Sequence, residues 1–160
     1  MPDDWTTFVT TEVGAAAALS GLVFVALSIN LKSILAKPVL VGRAGEAIIL
    51  LLGPVGFGLV LLSPYGHVPL GGIEVALGVA FGVALNIILV RAWPAWKGRP
   101  RLPYAGRVVV VEAAVAAEIT GAAILFAAPS AAAGWIGFGG LFCIAGGIAD
   151  AWVLLVEILR

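Results

Sequence analysis

The chain has 160 residues, of which 62% are hydrophobic and only 11% are charged, and its mean hydropathy is +1.14. A soluble domain carries about 25% charged residues, and one small core cannot keep this much apolar surface out of water. The formal net charge is zero, which leaves no electrostatic footprint for nucleic acid. We therefore predict an integral membrane protein whose first partner is the lipid bilayer.

Apolar stretches separated by short turns predict the fold. A membrane-spanning helix needs about 20 mostly apolar residues, and turn sequences such as Pro64-Tyr65-Gly66 and Pro129-Ser130 divide the chain into stretches of this length. We predict an all-α fold: a polytopic bundle of five transmembrane helices that forms a single domain over residues 1–160. The predicted spans are residues 11–31, 45–63, 72–93, 106–128 and 131–159.

The basic residues predict the orientation of this bundle. All nine of them fall at the first connection, at the third connection or at the C-terminus, and these places share one side of a five-helix bundle. Lys and Arg in short loops mark the cytoplasmic face, so we predict an N-terminus outside and a C-terminus inside. The Ala, Gly, Val and Leu bias favours a bacterial cytoplasmic (inner) membrane. The basic residues are Lys32, Lys37, Arg43, Arg91, Lys97, Arg99, Arg101, Arg107 and Arg160, and the acidic residues predicted on the opposite side are Asp3, Asp4, Glu12 and Glu74.

Carboxyl groups at depth are the first place to look for chemistry, because an Asp at the centre of a spanning helix costs about 2.5–3.5 kcal/mol. With a rise of about 1.5 Å per residue, Glu118 lies about 16 Å from Arg107 along its helix. Asp150 lies about 15 Å from the C-terminal Arg160 by the same rise. A carboxyl that is buried without a partner favours its protonated form. The two groups could therefore pin helices together through hydrogen bonds, or serve as sites of proton or cation transit.

Other polar residues extend this set of candidates. The side chains that we expect to line a pore or transport path are Ser20, Ser28, Asn30, Asn86, Glu118 and Asp150. At the inner interface, carboxylates and guanidinium groups at similar depth are expected to form ion pairs. The predicted members of those pairs are Arg43, Glu46, Arg107 and Glu112.

Small residues recur at spacings of three or four, which places them on one face of each helix. Such faces allow helix backbones to approach closely in lipid, where packing drives association. They can be packing faces within one bundle, but five helices have few internal faces for so many of them. We therefore expect some to meet another subunit in a homo-oligomer. The predicted packing glycines are Gly14, Gly21, Gly78, Gly82, Gly139 and Gly147.

Isolated special residues give weaker signals. Pro54 follows Gly53 in the second span and predicts a kink there, which could line a binding site or serve packing alone. His67 is the only histidine and falls in a turn, where solvation is the expected state, and Cys143 is the only cysteine. The chain contains no nucleophile elbow, P-loop, metal signature or dinucleotide fingerprint. We predict no catalytic residues, no metal, no cofactor and no enzymatic activity.

Two resemblances concern the first span. The stretch over residues 14–35, GAAAALSGLVFVALSINLKSIL, followed by Arg43-Ala-Gly-Glu46, resembles the opening of a family of small uncharacterised bacterial polytopic membrane proteins. That likeness covers about the first third of the chain and implies no settled activity. Residues 18–26, ALSGLVFVA, are similar to part of the pore helix of Orai calcium channels, which implies a pore lined by this span. Ile29 and Asn30 stand where the Orai filter has its glutamate, and the predicted helix runs in the opposite direction. Calcium selectivity is therefore not implied.

These observations lead to two hypotheses about function. The favoured one is a homo-oligomer that forms a channel or permeation pathway for ions or small solutes, lined by the first or the fifth span. The alternative is an accessory or regulatory subunit that binds a larger membrane complex through the same small-residue faces.

Overall fold

A computed structural model describes residues 3–97 and 102–158, and within these ranges the chain is helical with no β-strand. The all-α prediction is confirmed. Arg99, Arg101 and Arg160, which the sequence places on the basic side, lie outside the described residues. The helices are α1 (Asp3–Ile29), α2 (Leu31–Leu35), α3 (Pro38–Leu61), α4 (His67–Ala92), α5 (Leu102–Ile124) and α6 (Pro129–Ile158), with a 3₁₀ turn over Trp93–Trp96 after α4.

The helix starts differ from the predicted spans because hydropathy marks only the apolar part of a helix. α1 begins at Asp3, well before the predicted start near residue 11. Its first turns are polar but still helical. The hydroxyls of Thr10 and Thr11 donate to the carbonyls of Thr6 and Thr7, each at 2.8 Å. This polar N-terminal segment is compatible with a helix, because its threonine hydroxyls donate hydrogen bonds to backbone carbonyls of the same helix.

Proline and glycine explain two other helix starts. Pro38 is the first residue of α3, and it follows Lys37 in an extended conformation. Proline suits this position because its fixed φ is already helical and its missing N–H has no intrahelical partner to lose. α4 follows the turn Ser63 to Gly66, and Gly66 is also extended. Each connection is short, so successive long helices are antiparallel neighbours.

Four helices in the described part of the chain are long and apolar enough to cross a membrane: Asp4–Ile29, Pro38–Leu61, His67–Ala95 and Pro129–Ile158. They indicate a membrane protein. α5, which the sequence predicts as a further span, has 23 residues and includes Arg107, Glu112 and Glu118. These three side chains make α5 more polar than the other four long helices. Whether α5 can also lie in a membrane depends on whether they are buried against its neighbours.

α3 and α6 form the centre of the molecule. α3 packs against α1, α4 and α6, while α6 packs against α1, α3 and α5, and α4 and α5 pack against each other. α3 is the most buried of the four apolar helices and α1 the least. The core includes Leu50 and Phe57 from α3, Leu85 from α4 and Val111 from α5. Phe57 packs edge to face on Phe81, with ring centroids 5.4 Å apart.

Glycines in α4 and α6 are packing positions inside the bundle. A Cβ at Gly82 would lie 2.9 Å from Val115 Cγ1, and Gly78 faces the same helix one turn away. A Cβ at Gly147 would lie 2.6 Å from Leu51 Cγ. These predicted packing glycines therefore serve contacts within one chain.

The glycines of α1 differ from those in α4 and α6. A Cβ added at Gly14 or Gly21 would meet no described atom within 4 Å. Together with other exposed residues at spacings of three and four they form a continuous strip, which we call the open α1 face. Its members are Gly14, Ala18, Gly21, Val25 and Ser28.

Pro54 lies buried inside α3, and the helix continues past it to Leu61. The neighbouring Gly53 explains the local sequence: a Cβ there would lie 2.8 Å from Phe81 Cε2 and 3.6 Å from Cys143 Sγ. The small residue lets α4 and α6 approach α3. Of the two interpretations of this segment, these contacts favour packing over a binding site.

Candidate functional site

Two buried ion pairs lie where α3, α5 and α6 meet. Arg107 of α5 donates from Nε to Glu46 Oε1 of α3 at 2.7 Å, and its Nη2 donates to Glu46 Oε2. Arg43 Nη1 lies 3.3 Å from Asp150 Oδ1 of α6. The Arg107–Glu46 contact is bidentate, which is the strongest and most directional form of an arginine–carboxylate pair.

The four residues act as one electrostatic group, which we call the ion-pair cluster: Arg43, Glu46, Arg107 and Asp150. Asp150 interacts electrostatically with the other three members. Two guanidinium groups balance two carboxylates, so the group is neutral as a whole. Charges within a bilayer persist when they are paired in the bundle interior, and this pairing lets α5 keep a buried arginine.

A cavity of about 390 Å³ opens beside the ion-pair cluster, and all four members of the cluster line it. It reaches from Pro103 and Val153 at one end to Leu50 and Ala145 at the other. A water molecule occupies about 30 Å³ of the liquid, so the cavity has room for several waters or for one small solute. Most of its wall is apolar, and the two ion pairs give it one polar side.

A second polar group lies deeper in the bundle. Glu12 of α1, Glu74 of α4 and Glu118 of α5 are 8%, 0% and 1% exposed, and we call them the carboxyl cluster. Within the described structure, Glu12 Oε1 and both carboxyl oxygens of Glu74 and Glu118 have no hydrogen-bond partner. Burying a polar group without a partner is costly, so this arrangement calls for a reason other than stability.

Glycines of α6 provide the space for two of these carboxyls. A Cβ at Gly139 would lie 2.6 Å from Glu118 Oε1, and a Cβ at Gly140 would collide with the carboxyl of Glu12. Gly139 and Gly140 are adjacent on α6. The two carboxyls that they face, Glu118 of α5 and Glu12 of α1, therefore lie at the same level of the bundle. The predicted packing residue Gly139 thus lies at the contact between α5 and α6, and the group packed against it is the carboxyl of Glu118.

Electrostatic contacts connect the carboxyl cluster with the only thiol. Glu118 interacts with both Glu74 and Glu12, and the buried Cys143 interacts with Glu118 and Glu12. In the described chain, no group of three His, Cys, Asp or Glu side chains is placed to hold a metal ion. The cluster is therefore an acidic site that lacks the geometry of a metal cage.

The two clusters occupy different levels of the bundle. Gly140 and Asp150 are ten residues apart on α6, which is about 15 Å along the helix axis. On α6 the lining of the cavity runs from Val153 to Ala145, so it covers about half of this interval. From Ala145 to Cys143 is about 3 Å along the axis. Leu50 and Val111, which line the end of the cavity nearest the carboxyl cluster, are apolar.

Four of the sequence candidates play local roles. Each of these side chains donates to the backbone carbonyl four residues earlier in its own helix, at 2.8–3.1 Å. One donor of each side chain is thus bonded within its own helix, and none of the four lines the cavity beside Asp150. The residues are Ser20, Ser28, Asn30 and Asn86.

The predicted ion pairs are partly rearranged. Glu46 pairs with Arg107, while Arg43 pairs with Asp150, which the sequence suggested as a pore candidate. Glu112 is exposed and belongs to neither pair. Glu12 and Glu74 are not among the predicted site residues, because both lie near the outer ends of their predicted spans.

No protein-family model matches this chain, and no curated protein and no solved structure matches it either. Function must therefore be argued from the two clusters and the cavity between α3, α5 and α6.

Proposed function

We propose that the protein is a five-span permeation protein of a bacterial cytoplasmic membrane, and that ions or small polar solutes cross it through the interior of each subunit. The observation that carries this proposal is the cavity of about 390 Å³ whose wall includes both ion pairs. Packing alone has no need for two ion pairs on the wall of a cavity, and largely buried arginines are costly to maintain in an apolar bundle.

The surroundings of α5 support its role as the fifth span. Arg107 is neutralised by Glu46, and Glu118 is buried against α6. Of the three charged residues in α5, only Glu112 is exposed. α5 thus hides most of its polarity inside the bundle, as a spanning helix with functional polar groups does.

The contacts between helix ends support the orientation with the N-terminus outside. Lys37 Nζ donates to the carbonyl of Glu157 at 3.4 Å, so the start of α3 meets the end of α6. Tyr104 donates from its hydroxyl to the carbonyl of Leu89 at 3.0 Å, so the start of α5 meets the end of α4. The basic connections therefore share one end of the bundle, and the excess of Lys and Arg favours the cytoplasm for that end.

The open α1 face supports assembly into a homo-oligomer. Its glycines have no described atom within 4 Å of their added Cβ positions, and small-residue faces are the usual contact surfaces between helices in lipid. In this assembly α1 mediates subunit contact, and the permeation path lies between α3, α5 and α6. This differs from a pore lined by Ser20, Ser28 and Asn30, each of which donates a hydrogen bond to a carbonyl of α1.

The same face supports the second candidate function, an accessory subunit of a larger membrane complex. In that case α1 would dock on a different membrane protein, with large apolar residues such as Leu22 and Phe24 beside the small ones. The two candidates differ in whether the isolated protein conducts anything and whether it assembles with itself.

Flux measurements on purified protein test the proposal. The protein is reconstituted into liposomes, its oligomeric state is confirmed by native mass spectrometry, and the fluxes of K⁺, Na⁺, Cl⁻, protons and a small neutral solute are compared with those of empty liposomes. We expect at least one species to cross faster than the empty-liposome background. A verified oligomer that carries none of them would contradict the proposal, and a monomer that co-purifies with another membrane protein would favour the accessory role.

A further inference from the structure

The carboxyl cluster has features that a pathway through the cavity alone leaves unexplained. Three acidic side chains come from three different helices and are each at least nine-tenths buried. Five of their oxygens have no hydrogen-bond partner among the described residues. A structural pin would be bonded to its neighbour, as Glu46 is to Arg107.

Three helices contribute titratable groups that face Glu118. α1 contributes Glu12, α4 contributes Glu74 and α6 contributes Cys143. α3 has no titratable side chain after Glu46. No basic side chain in the described structure pairs with the carboxyl cluster, since the two ion pairs are formed at the level of Asp150.

Three carboxylates without a cation would repel one another and would also be poorly solvated in a dry interior. Only a positive species can relieve this. Among the described residues, no group of three His, Cys, Asp or Glu side chains is arranged to hold a metal ion. A proton, in contrast, binds to a single oxygen atom and needs no further ligands. The geometry therefore favours the proton as the ligand of this site.

The cavity gives this site a connection to the other end of the bundle. Its lining on α6 ends at Ala145, two residues from Cys143. Cys143 in turn interacts with Glu118. At the far end of the interval, Asp150 has one oxygen on Arg43, and its Oδ2 has no hydrogen-bond partner in the part of the chain that is described. Both ends of the route thus have a carboxyl oxygen free to take a proton.

We propose that the carboxyl cluster is a proton-binding site, in which Glu118 exchanges protons with the cavity beside Asp150, so that the species carried is the proton. This inference rests on the proposed function and specifies its substrate. In each step the O–H bond of a protonated group breaks and an O–H bond forms on its hydrogen-bonded neighbour. The proton passes from the carboxyl of Glu118 to a water molecule, between water molecules in the cavity, and from water to the carboxylate of Asp150. No electron is transferred, and the proton is the only species that moves.

The test compares two conservative variants on the same helix. Glu118→Gln removes the proton-carrying group from the cluster, and Glu112→Gln removes an exposed carboxyl from α5 as the matched control. Each protein is placed in liposomes that contain a pH-sensitive dye, and a K⁺ gradient with valinomycin drives proton entry. We expect Glu118→Gln to lower the proton flux about tenfold or more, and Glu112→Gln to leave it near the wild-type rate.

Infrared spectroscopy gives a readout that does not depend on transport. A protonated carboxyl buried in the wild-type protein gives a carbonyl band that shifts in D₂O, and this band should weaken in Glu118→Gln and persist in Glu112→Gln. If Glu118→Gln does not fold, Glu118→Asp keeps a carboxyl at this level and should retain part of both the flux and the band. Absence of the band from the wild-type protein would overturn the proton-binding site.

The outcomes separate this inference from the proposed function. If the wild type carries K⁺ or a solute but moves protons no faster than empty liposomes, the permeation pathway stands and the proton assignment is wrong. Proton flux that is unchanged in folded Glu118→Gln also overturns the assignment. If no species crosses at all, the proposed function itself fails, and the assignment of a carried proton fails with it.

Discussion

Glu118 of α5 lies against Gly139 of α6 so closely that a Cβ at Gly139 would come within 2.6 Å of Glu118 Oε1. The glycine is therefore required by a carboxyl, and the contact fixes where α5 and α6 cross. It links a tight contact in the helical hairpin of α5 and α6 to a buried acidic side chain. A helix interface and a polar site thus depend on the same residue.

The first prediction concerns this contact. Gly139→Ala places a methyl group where the carboxyl lies, so Glu118 must move within a packed interior. Overpacking of this kind costs about 1–3 kcal/mol, and we expect the free energy of unfolding to fall by that amount. Gly72→Ala is the control, because its added Cβ meets no described atom within 4 Å. Unfolding in mixed micelles measures both, and equal stability of the two variants would contradict the close contact.

The second prediction concerns the bidentate pair of Arg107 and Glu46. Glu46→Gln leaves Arg107 buried without its counter-charge, which typically costs about 3–5 kcal/mol. We expect the same order of loss for Arg107→Gln, and a smaller loss for the double variant than the sum of the two singles. A double-mutant cycle in detergent measures this coupling. Additive losses would show that the two side chains do not interact.

The third prediction concerns the open α1 face. Gly21→Leu introduces a large side chain where no described atom lies within 4 Å, so the monomer should fold normally. If two copies meet through this face, the bulky residue separates them and the oligomer dissociates. Native mass spectrometry measures the change, with Gly72→Leu on α4 as the matched control. An oligomer that survives Gly21→Leu would move the subunit contact to another surface.

The fourth prediction concerns orientation. Gly66 precedes α4 and Lys97 follows its 3₁₀ extension, and both are exposed. In intact cells, a membrane-impermeant maleimide should label Gly66→Cys, and it should label Lys97→Cys only after the membrane is permeabilised. The native thiol of Cys143 is buried and stays unlabelled. The reverse pattern of labelling would invert the proposed topology.

The sequence was sufficient for the level of some charged groups along their helices, because rise per residue is nearly constant. Counting residues places Glu46 and Arg107 near the inner ends of their predicted spans. It places Asp150 about 15 Å from Arg160, which does not reveal that Asp150 pairs with Arg43. The sequence was insufficient for the direction of each side chain around the helix axis. Glu112 is five residues from Arg107, which turns it by about 140°, and it faces outward while Arg107 faces α3.

The same limit explains the carboxyl cluster. Glu12 and Glu74 lie near helix ends in the sequence, where hydropathy alone predicts an exposed carboxylate. They are buried because neighbouring helices cover them, and the glycine that makes room for Glu12 is 128 positions later, at Gly140. A pattern read within one helix carries no information about such a partner. The same applies to the small-residue faces. Their spacing is alike in the sequence, but the glycines of α4 and α6 pack inside the bundle and those of α1 do not.

The central claim is that the permeation path runs through the cavity between α3, α5 and α6. Val110 lines this cavity, and its neighbour Val109 is 65% exposed on the other side of α5. Liposome flux should therefore be compared for Val110→Phe and Val109→Phe, two identical changes at adjacent positions. We expect Val110→Phe to fill the cavity and reduce the flux severalfold, and Val109→Phe to conduct like the wild type. Equal flux through both variants would contradict a path through this cavity.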